Sequence, residues 1–462
     1  MRCLNQFRES EKARHDEHVL KLAVCFEDEG GEFQIPACGH GGIGEFFSFT
    51  WNIDWGDGTH DHAVGISSSQ GGDLSAGSLV HAYAAPGEYE IAVLPAEPVQ
   101  KTVGDAPGWL QAFGYPEAWM FSVDDDNHFK EYVFPKGGDK LVCVDGVLDD
   151  YAINIELEGA CAKMFSGCKN ITMGPHFTFS SDKQRAGDFF CFRMFGKCDG
   201  DTFTMGDAFQ LPENLREVGK AFCCKMFQFC SGKSFTMNDR FTIPQKIIDI
   251  GSGFCQEMFA EHGLGFTMGE RFNLPQGITE VEHRFCAGMF SYCGGGGAQS
   301  DPVFAMNERF NLPPSISGYV GDDFCSGMFR SNSGNAFRMN ERFNLPEGIT
   351  RTGNAFCKEM FQGCSGNSFS MNDVFTMPAG LYEAGVECGM RMFSGCDGRS
   401  FALNFNFNLP HPFNAPAYLY FEMFGQCRLE SLNWNVDDLV RSNPGLRIWS
   451  PTWYEWRRYE RG

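Results

Sequence analysis

The dipeptide Met-Phe recurs at a near-regular interval in a series of nine copies, with its Phe at Phe165, Phe195, Phe227, Phe259, Phe290, Phe329, Phe361, Phe393 and Phe424. The spacings are 30, 32, 32, 31, 39, 32, 32 and 31 residues. A fixed period of this size is the mark of a stacked-repeat architecture, and it constrains the chain more than any single motif. Each unit has one apolar face and cannot bury it alone, so successive units must stack into a solenoid. The 39-residue interval carries the glycine-rich run Gly294 to Ala298, expected as a surface loop.

A representative copy, from Ala221 to Gly251, reads AFCCKMFQFCSGKSFTMNDRFTIPQKIIDIG. Phe222, Cys223, Met226, Phe227 and Cys230 fall at i, i+1, i+4, i+5 and i+8, which predicts a short helix with one apolar face. Phe235 and Met237, then Phe241 and Ile243, alternate as in strands, and Pro244 ends them. The step Asn238-Asp239-Arg240 fits either a corner or a continuous strand. Two cysteine columns follow from the register. One holds Cys161, Cys191, Cys223, Cys255, Cys286, Cys325 and Cys357. The other holds Cys168, Cys198, Cys230, Cys293, Cys364, Cys396 and Cys427, with His262 and Asn332 substituting in two copies. The skeleton L-P-x-x-I-x-x-x-x-x-x-F-C-x-x-M-F-x-x-C resembles BspA-like leucine-rich repeat surface proteins of the Met-Phe-x-x-Cys type, over about Gly159 to Leu439. The chain departs from them in using Phe where they favour Leu or Ile.

Ahead of the repeat, FSFTWNIDWGDGTHD and HAYAAPGEYEIAVLP show strand alternation in Phe49, Trp51, Ile53 and Trp55, and again in Tyr89, Ile91 and Val93. Gly56-Asp57-Gly58 and Pro86-Gly87 are turn signals, and short strands between turns predict a β-sandwich. The ordered pair W-G-D-G-T and H-x-Y-x-x-P-G-x-Y resembles polycystic-kidney-disease (PKD) type Ig-like domains. In bacteria that resemblance implies an extracellular spacer or binding module.

Charge bounds the partners. The 462 residues carry a formal net charge of -22, of which residues 1–157, with 27 acidic and 9 basic side chains, hold -18. Nucleic acid needs a basic face and is excluded, as is adhesion to an anionic membrane surface. No run of 18 apolar residues occurs, so no membrane insertion is expected. The first residues, MRCLNQFRESEKARHDEHVLKLAV, lack the apolar core of a signal peptide.

The candidate sites divide between functional and architectural readings. Arg240, Arg271, Arg309 and Arg342 form a column beside Asp239, Glu270, Glu308 and Glu341, either a ligand-binding stripe or a ladder of weak surface ion pairs. The cysteines read first as buried free thiols, because packed helices would hold column neighbours 8–10 Å apart, with some disulfides or a metal site as the other readings. Asp54 and Asp57 read as turn residues rather than calcium ligands. The run Asp124-Asp125-Asp126-Asn127-His128 lacks the Gly and distal Glu of an EF-hand and reads as a loop. His60, Asp61, His62 and His81 read as loop polarity rather than a metal site. Trp109, Phe113, Trp119 and Phe121, and Trp449, Trp453 and Trp456, read as parts of end caps. No catalytic motif, cofactor fingerprint or metal-ligand spacing occurs.

The expectation is therefore a multidomain chain: an extension at 1–17, a PKD-like Ig-like all-β sandwich at 18–95, a joining segment and cap at 96–157, a right-handed leucine-rich-repeat-like α/β solenoid of about nine coils at 158–439, and an aromatic cap or tail at 440–462. Its function is expected to be that of a non-enzymatic surface protein of adhesion type, whose solenoid face binds a protein or a glycan, without cofactor or metal. The alternatives are a polysaccharide-acting enzyme on a solenoid scaffold and a structural protein of a phage or filament. A cell-surface or extracellular location rests on the family resemblance.

Overall fold

A computed structural model of the chain describes residues 20–35, 48–66, 79–95, 137–148 and, with short omissions, 155–427. The chain divides into two compact units, residues 1–212 and 213–462.

The first unit opens with strands β1 (Leu20–Phe26), β2 (Gly31–Ile35), β3 (Ser48–Asp54), β4 (His60–Ile66), β5 (Leu79–Tyr83) and β6 (Gly87–Pro95). After a 3-10 turn at Gly138–Lys140 come β7 (Leu141–Asp145), β8 (Val147–Leu148), β9 (Thr172–Met173) and β10 (Thr178–Phe179). One sheet has the order β4-β3-β6-β1-β7-β9, and β2 pairs with β5 in a second. Alternation places Leu22, Val24, Ile53, Ile91 and Val93 in the core, together with Phe33 and Ile35 of the second sheet. Phe26 of the first sheet lies 5.1 Å, ring to ring, from Tyr83 of the second, and Tyr83 stacks on Tyr89 at 4.1 Å.

Strand β7 has two partners of opposite sense. It runs antiparallel to β1 and parallel to β9, with Cys143 opposite Thr172 and Val144 opposite Met173. β8 runs parallel to β10. Residues 141–148 thus form half a coil that lacks the Met-Phe signature. They stand against the first full coil and join its strands to the front sheet.

The second unit is a β-solenoid of about six turns. Six ring stacks join its seven Met-Phe phenylalanines, with centroids 5.4 to 5.7 Å apart. Three further Phe columns run beside this one. Phe241 begins one, and its rings meet the Met-Phe rings edge-on, as between Phe329 and Phe343 at 88°. Stacking along the columns and edge-to-face contact between them is the packing aromatic quadrupoles favour. The strands are short and parallel from coil to coil: Phe235–Thr236 pairs with Phe266–Thr267, and Ser317–Val320 with Gly348–Thr352.

The expected helix is absent; the segment is a ladder of turns. Ala221, Cys223, Lys225 and Phe229 have φ of 53°, 50°, 58° and 56°, and Gly253, Cys255, Glu257 and Glu261 repeat the pattern one coil on. Alternate left-handed residues flatten the backbone and turn its N–H groups to one side, as in a peptide nest. Met226 N–H and Gln228 N–H donate three residues back, to Cys223 and Lys225. Lys225, Phe227 and Phe229 N–H donate to the next coil, at the carbonyls of Gln256, Met258 and Ala260, over 2.8 to 3.0 Å. A helix spends its N–H groups within itself and keeps its neighbour 8–10 Å away. The ladder hydrogen-bonds coil to coil, which brings the Phe rings into stacking contact. Each left-handed non-glycine residue costs about 1–2 kcal/mol, offset here by these bonds and by apolar burial.

The helix spacing invoked to separate the cysteines is removed with the helix, since column neighbours are one hydrogen-bonded step apart. All fourteen column cysteines are nevertheless free and buried.

Candidate binding surface

Coils of the second unit turn a corner between their two strand segments, and at every described corner except the one at Gly269 an asparagine builds it. Asn238 Oδ1 accepts the N–H groups of Arg240 and Phe241 at 2.9 and 2.6 Å, closing the Asx turn that settles the step from Asn238 to Arg240 as a corner. Asn307, Asn340 and Asn372 repeat the bond. Their Nδ2 groups bind the stack together. Asn340 donates to the carbonyls of Asn307 and Phe310, both at 2.7 Å, and Asn372 to those of Asn340 and Phe343. At Gly269 the column lacks a side chain, and a Cβ there would lie 2.3 Å from the Asn238 carbonyl oxygen.

The two residues after each column position point outward. Asp239-Arg240, Glu270-Arg271, Glu308-Arg309 and Glu341-Arg342 are all exposed, at successive corners. The Phe following each Arg stacks on its counterpart at 6.1, 5.9 and 5.9 Å, which sets the step between corners. The structure therefore brings the four arginines and their acidic neighbours into two parallel columns. Among the described residues none of these eight side chains makes an ion pair, so the ion-pair ladder expected there does not form.

Ion pairs form instead on the turn-ladder face. Lys225 pairs with Glu257 at 3.3 Å, Arg330 with Glu359 at 3.0 Å, Lys358 with Glu387 at 2.9 Å and Arg391 with Glu422 at 2.6 Å. The same face carries exposed Tyr292 with Arg330 over its ring, 5.9 Å from the centroid.

In the first unit the two halves of the front motif meet. Asp57 accepts from Thr59 N–H and faces His81 Nε2 at 2.8 Å. The Thr59 hydroxyl bond, then His81, hold the Asp57 carboxyl down at about 2. His81 stacks on buried Trp55 at 4.7 Å, Tyr83 Oη donates to the Trp55 carbonyl, and Trp55 Nε1 donates to Asp61. Asp54 accepts from Gly56 N–H and lies 3.7 Å from His60, and His62 contacts Asn52 at 2.8 Å. These contacts close a turn. Among the described residues no group of three or more His, Cys, Asp or Glu is placed to hold a metal ion. Asp124 to His128, the aromatic residues of 96–136 and the tail beyond Cys427 lie outside the described residues.

The second cysteine column has a role that spacing did not reveal. Cys293, Cys364, Cys396 and Cys427 each donate Sγ–H to the Met-Phe carbonyl of a preceding coil, at 2.7 to 3.2 Å. Asn332 takes the place of Cys and donates Nδ2 to the equivalent carbonyl of Phe290 at 2.9 Å. The column selects a small buried donor, which explains why Asn replaces Cys there.

No protein-family model, curated protein or solved structure matches the chain.

Proposed function

We propose that this is a non-enzymatic interaction protein of the cell surface, in which an Ig-like PKD-type module precedes a Met-Phe-x-x-Cys solenoid. The finer reading is a right-handed solenoid of about nine coils, one for each Met-Phe copy. The stack presents its corner ridge to a protein or glycan partner, and the arginines Arg240, Arg271, Arg309 and Arg342 carry the contact. The supporting observation is that these side chains are exposed in register yet make no ion pair among the described residues, whereas charges on the turn-ladder face pair along the stack. An isolated exposed ion pair is worth about 0–1 kcal/mol, so a row of unpaired charges can be redirected to a partner at little cost.

The test is binding of the labelled full-length chain to glycan and cell-surface protein arrays. The variant Arg240→Glu, Arg271→Glu, Arg309→Glu, Arg342→Glu should lose the signal while keeping its fold. Equal binding by wild type and variant would remove the ridge from the function. Release of reducing ends from any glycan in the panel would move the chain to the enzymatic class.

A further inference from the structure

The ridge consists of two columns of opposite sign. At four successive corners an acidic residue immediately precedes an arginine, in the order Asp239-Arg240, Glu270-Arg271, Glu308-Arg309 and Glu341-Arg342. Within a column, like charges recur at the coil step, where adjacent Phe rings stand 5.9 to 6.1 Å apart. At 6 Å two unit charges in water repel by about 0.7 kcal/mol. This repulsion is not relieved by ion pairs among the described residues.

The occupant of such a ridge must carry both signs at the same repeat. A uniformly anionic polymer would meet the arginines and be repelled by Asp239, Glu270, Glu308 and Glu341. A polycation would fail at the other column, and a neutral polymer would leave both unpaired. A surface with two opposite columns at this step exists on the protein itself. Symmetry decides how two copies fit. A two-fold axis parallel to the stack turns one ridge onto the other so that each arginine faces an acid at the same level. A two-fold axis across the stack would set arginine against arginine.

We infer that the corner ridge is a self-complementary dimer surface, and that the partner it fits is a second copy of this chain related by a two-fold axis parallel to the solenoid stack. The inference names a partner for the ridge and rests on its reading as an interaction surface. The contact is narrow, two side chains wide, and falls below the ~1,000 Å² of a stable interface. The dimer is therefore weak and salt-sensitive. The acidic excess sits in residues 1–157, and the remaining chain carries only -4, so the ridge is not opposed by its own unit.

Sedimentation equilibrium of the full-length protein tests this. Dimers should form at low ionic strength and weaken by about tenfold or more at 0.5 M salt, where screening acts within ~4 Å. The four-arginine reversal should be monomeric. The discriminating variant exchanges the columns: Asp239→Arg, Arg240→Asp, Glu270→Arg, Arg271→Glu, Glu308→Arg, Arg309→Glu, Glu341→Arg and Arg342→Glu. It remains self-complementary about the same axis and should dimerise with itself as tightly as wild type, whereas mixed dimers with wild type would set acid against acid in that arrangement and pair only with the two stacks antiparallel. A wild type that is monomeric at all salt concentrations, or an exchanged variant that stays monomeric where wild type dimerises, would overturn the proposal. A monomer whose arginine reversal loses array binding sinks the dimer and keeps the partner-binding function. A dimer without any array binding does the reverse.

Discussion

His262 stands where the second column elsewhere has Cys, fully buried, with its ring 4.6 Å from that of Phe235. Burial pushes its pKa down to about 3 from an ordinary 6.5. The unfolded chain takes up this proton near pH 6.5, and the folded chain does not until about pH 3. The stability held above pH 6.5 is therefore lost progressively as pH falls between those values, by about 2 kcal/mol at pH 5. His262→Asn, which supplies the residue found at Asn332, should flatten this part of the pH dependence. Urea unfolding of both proteins at pH 5 and pH 7.5 measures it, and an identical pH slope would show that the imidazole is hydrated. Asn340 offers a second test at this scale. Its Oδ1 holds two backbone N–H groups and its Nδ2 two carbonyls of the preceding corner. Asn340→Ala should cost about 2–4 kcal/mol, since buried backbone groups lose their partners. A change under 1 kcal/mol in urea unfolding would mean that water replaces the side chain.

The element that carries the stack is the turn ladder, and it sets the behaviour of the thiols. Column cysteines such as Cys255, Cys286 and Cys325 are buried, and burial raises their pKa well above the ordinary thiol value. The thiolate is the reactive form, so the columns should be nearly inert in the native protein and react fully in denaturant. Thiol titration with and without urea checks this under non-reducing conditions. Few free thiols in both states would indicate disulfides between coils, which the hydrogen-bonded step no longer forbids. Fast native reaction would place the columns at the surface. The ladder also left a trace in the sequence. Gly253, Gly288, Gly327, Gly363 and Gly395 occupy left-handed positions that other coils fill with side chains as different as those of Ala221, Glu257 and Phe229. Glycine recurring at fixed columns inside an apparent helix argues against a helix, because it costs helix stability and frees positive φ.

At the scale of the whole molecule the chain is electrostatically uneven, with -18 in its first 157 residues and -4 in the rest. Self-repulsion weakens a compact unit, and salt screens it. Raising salt from 10 to 200 mM should increase hydrogen-exchange protection of the β1 and β6 amides more than that of the ladder amides around Phe329 and Phe361. Equal gains in both would show that local packing, not net charge, limits the front. No helix among the described residues is long and apolar enough to cross a membrane.

The period, the Met-Phe register and the burial of its Phe and Cys columns were legible in the sequence, because a repeat that buries one face repeats the same apolar letters at the same offsets. The strands around Ile53 and Ile91 were legible through period-two alternation. Which backbone realises the i, i+1, i+4, i+5, i+8 pattern was decided only by the stack. A helix and a flattened turn ladder bury the same side chains, and they differ in where the N–H groups go. That destination is a carbonyl about 30–40 residues ahead, beyond the reach of local propensity. The half-coil at 141–148 and the Asn corner belong to the same class, since each is defined by a bond to a neighbouring coil rather than by its own letters.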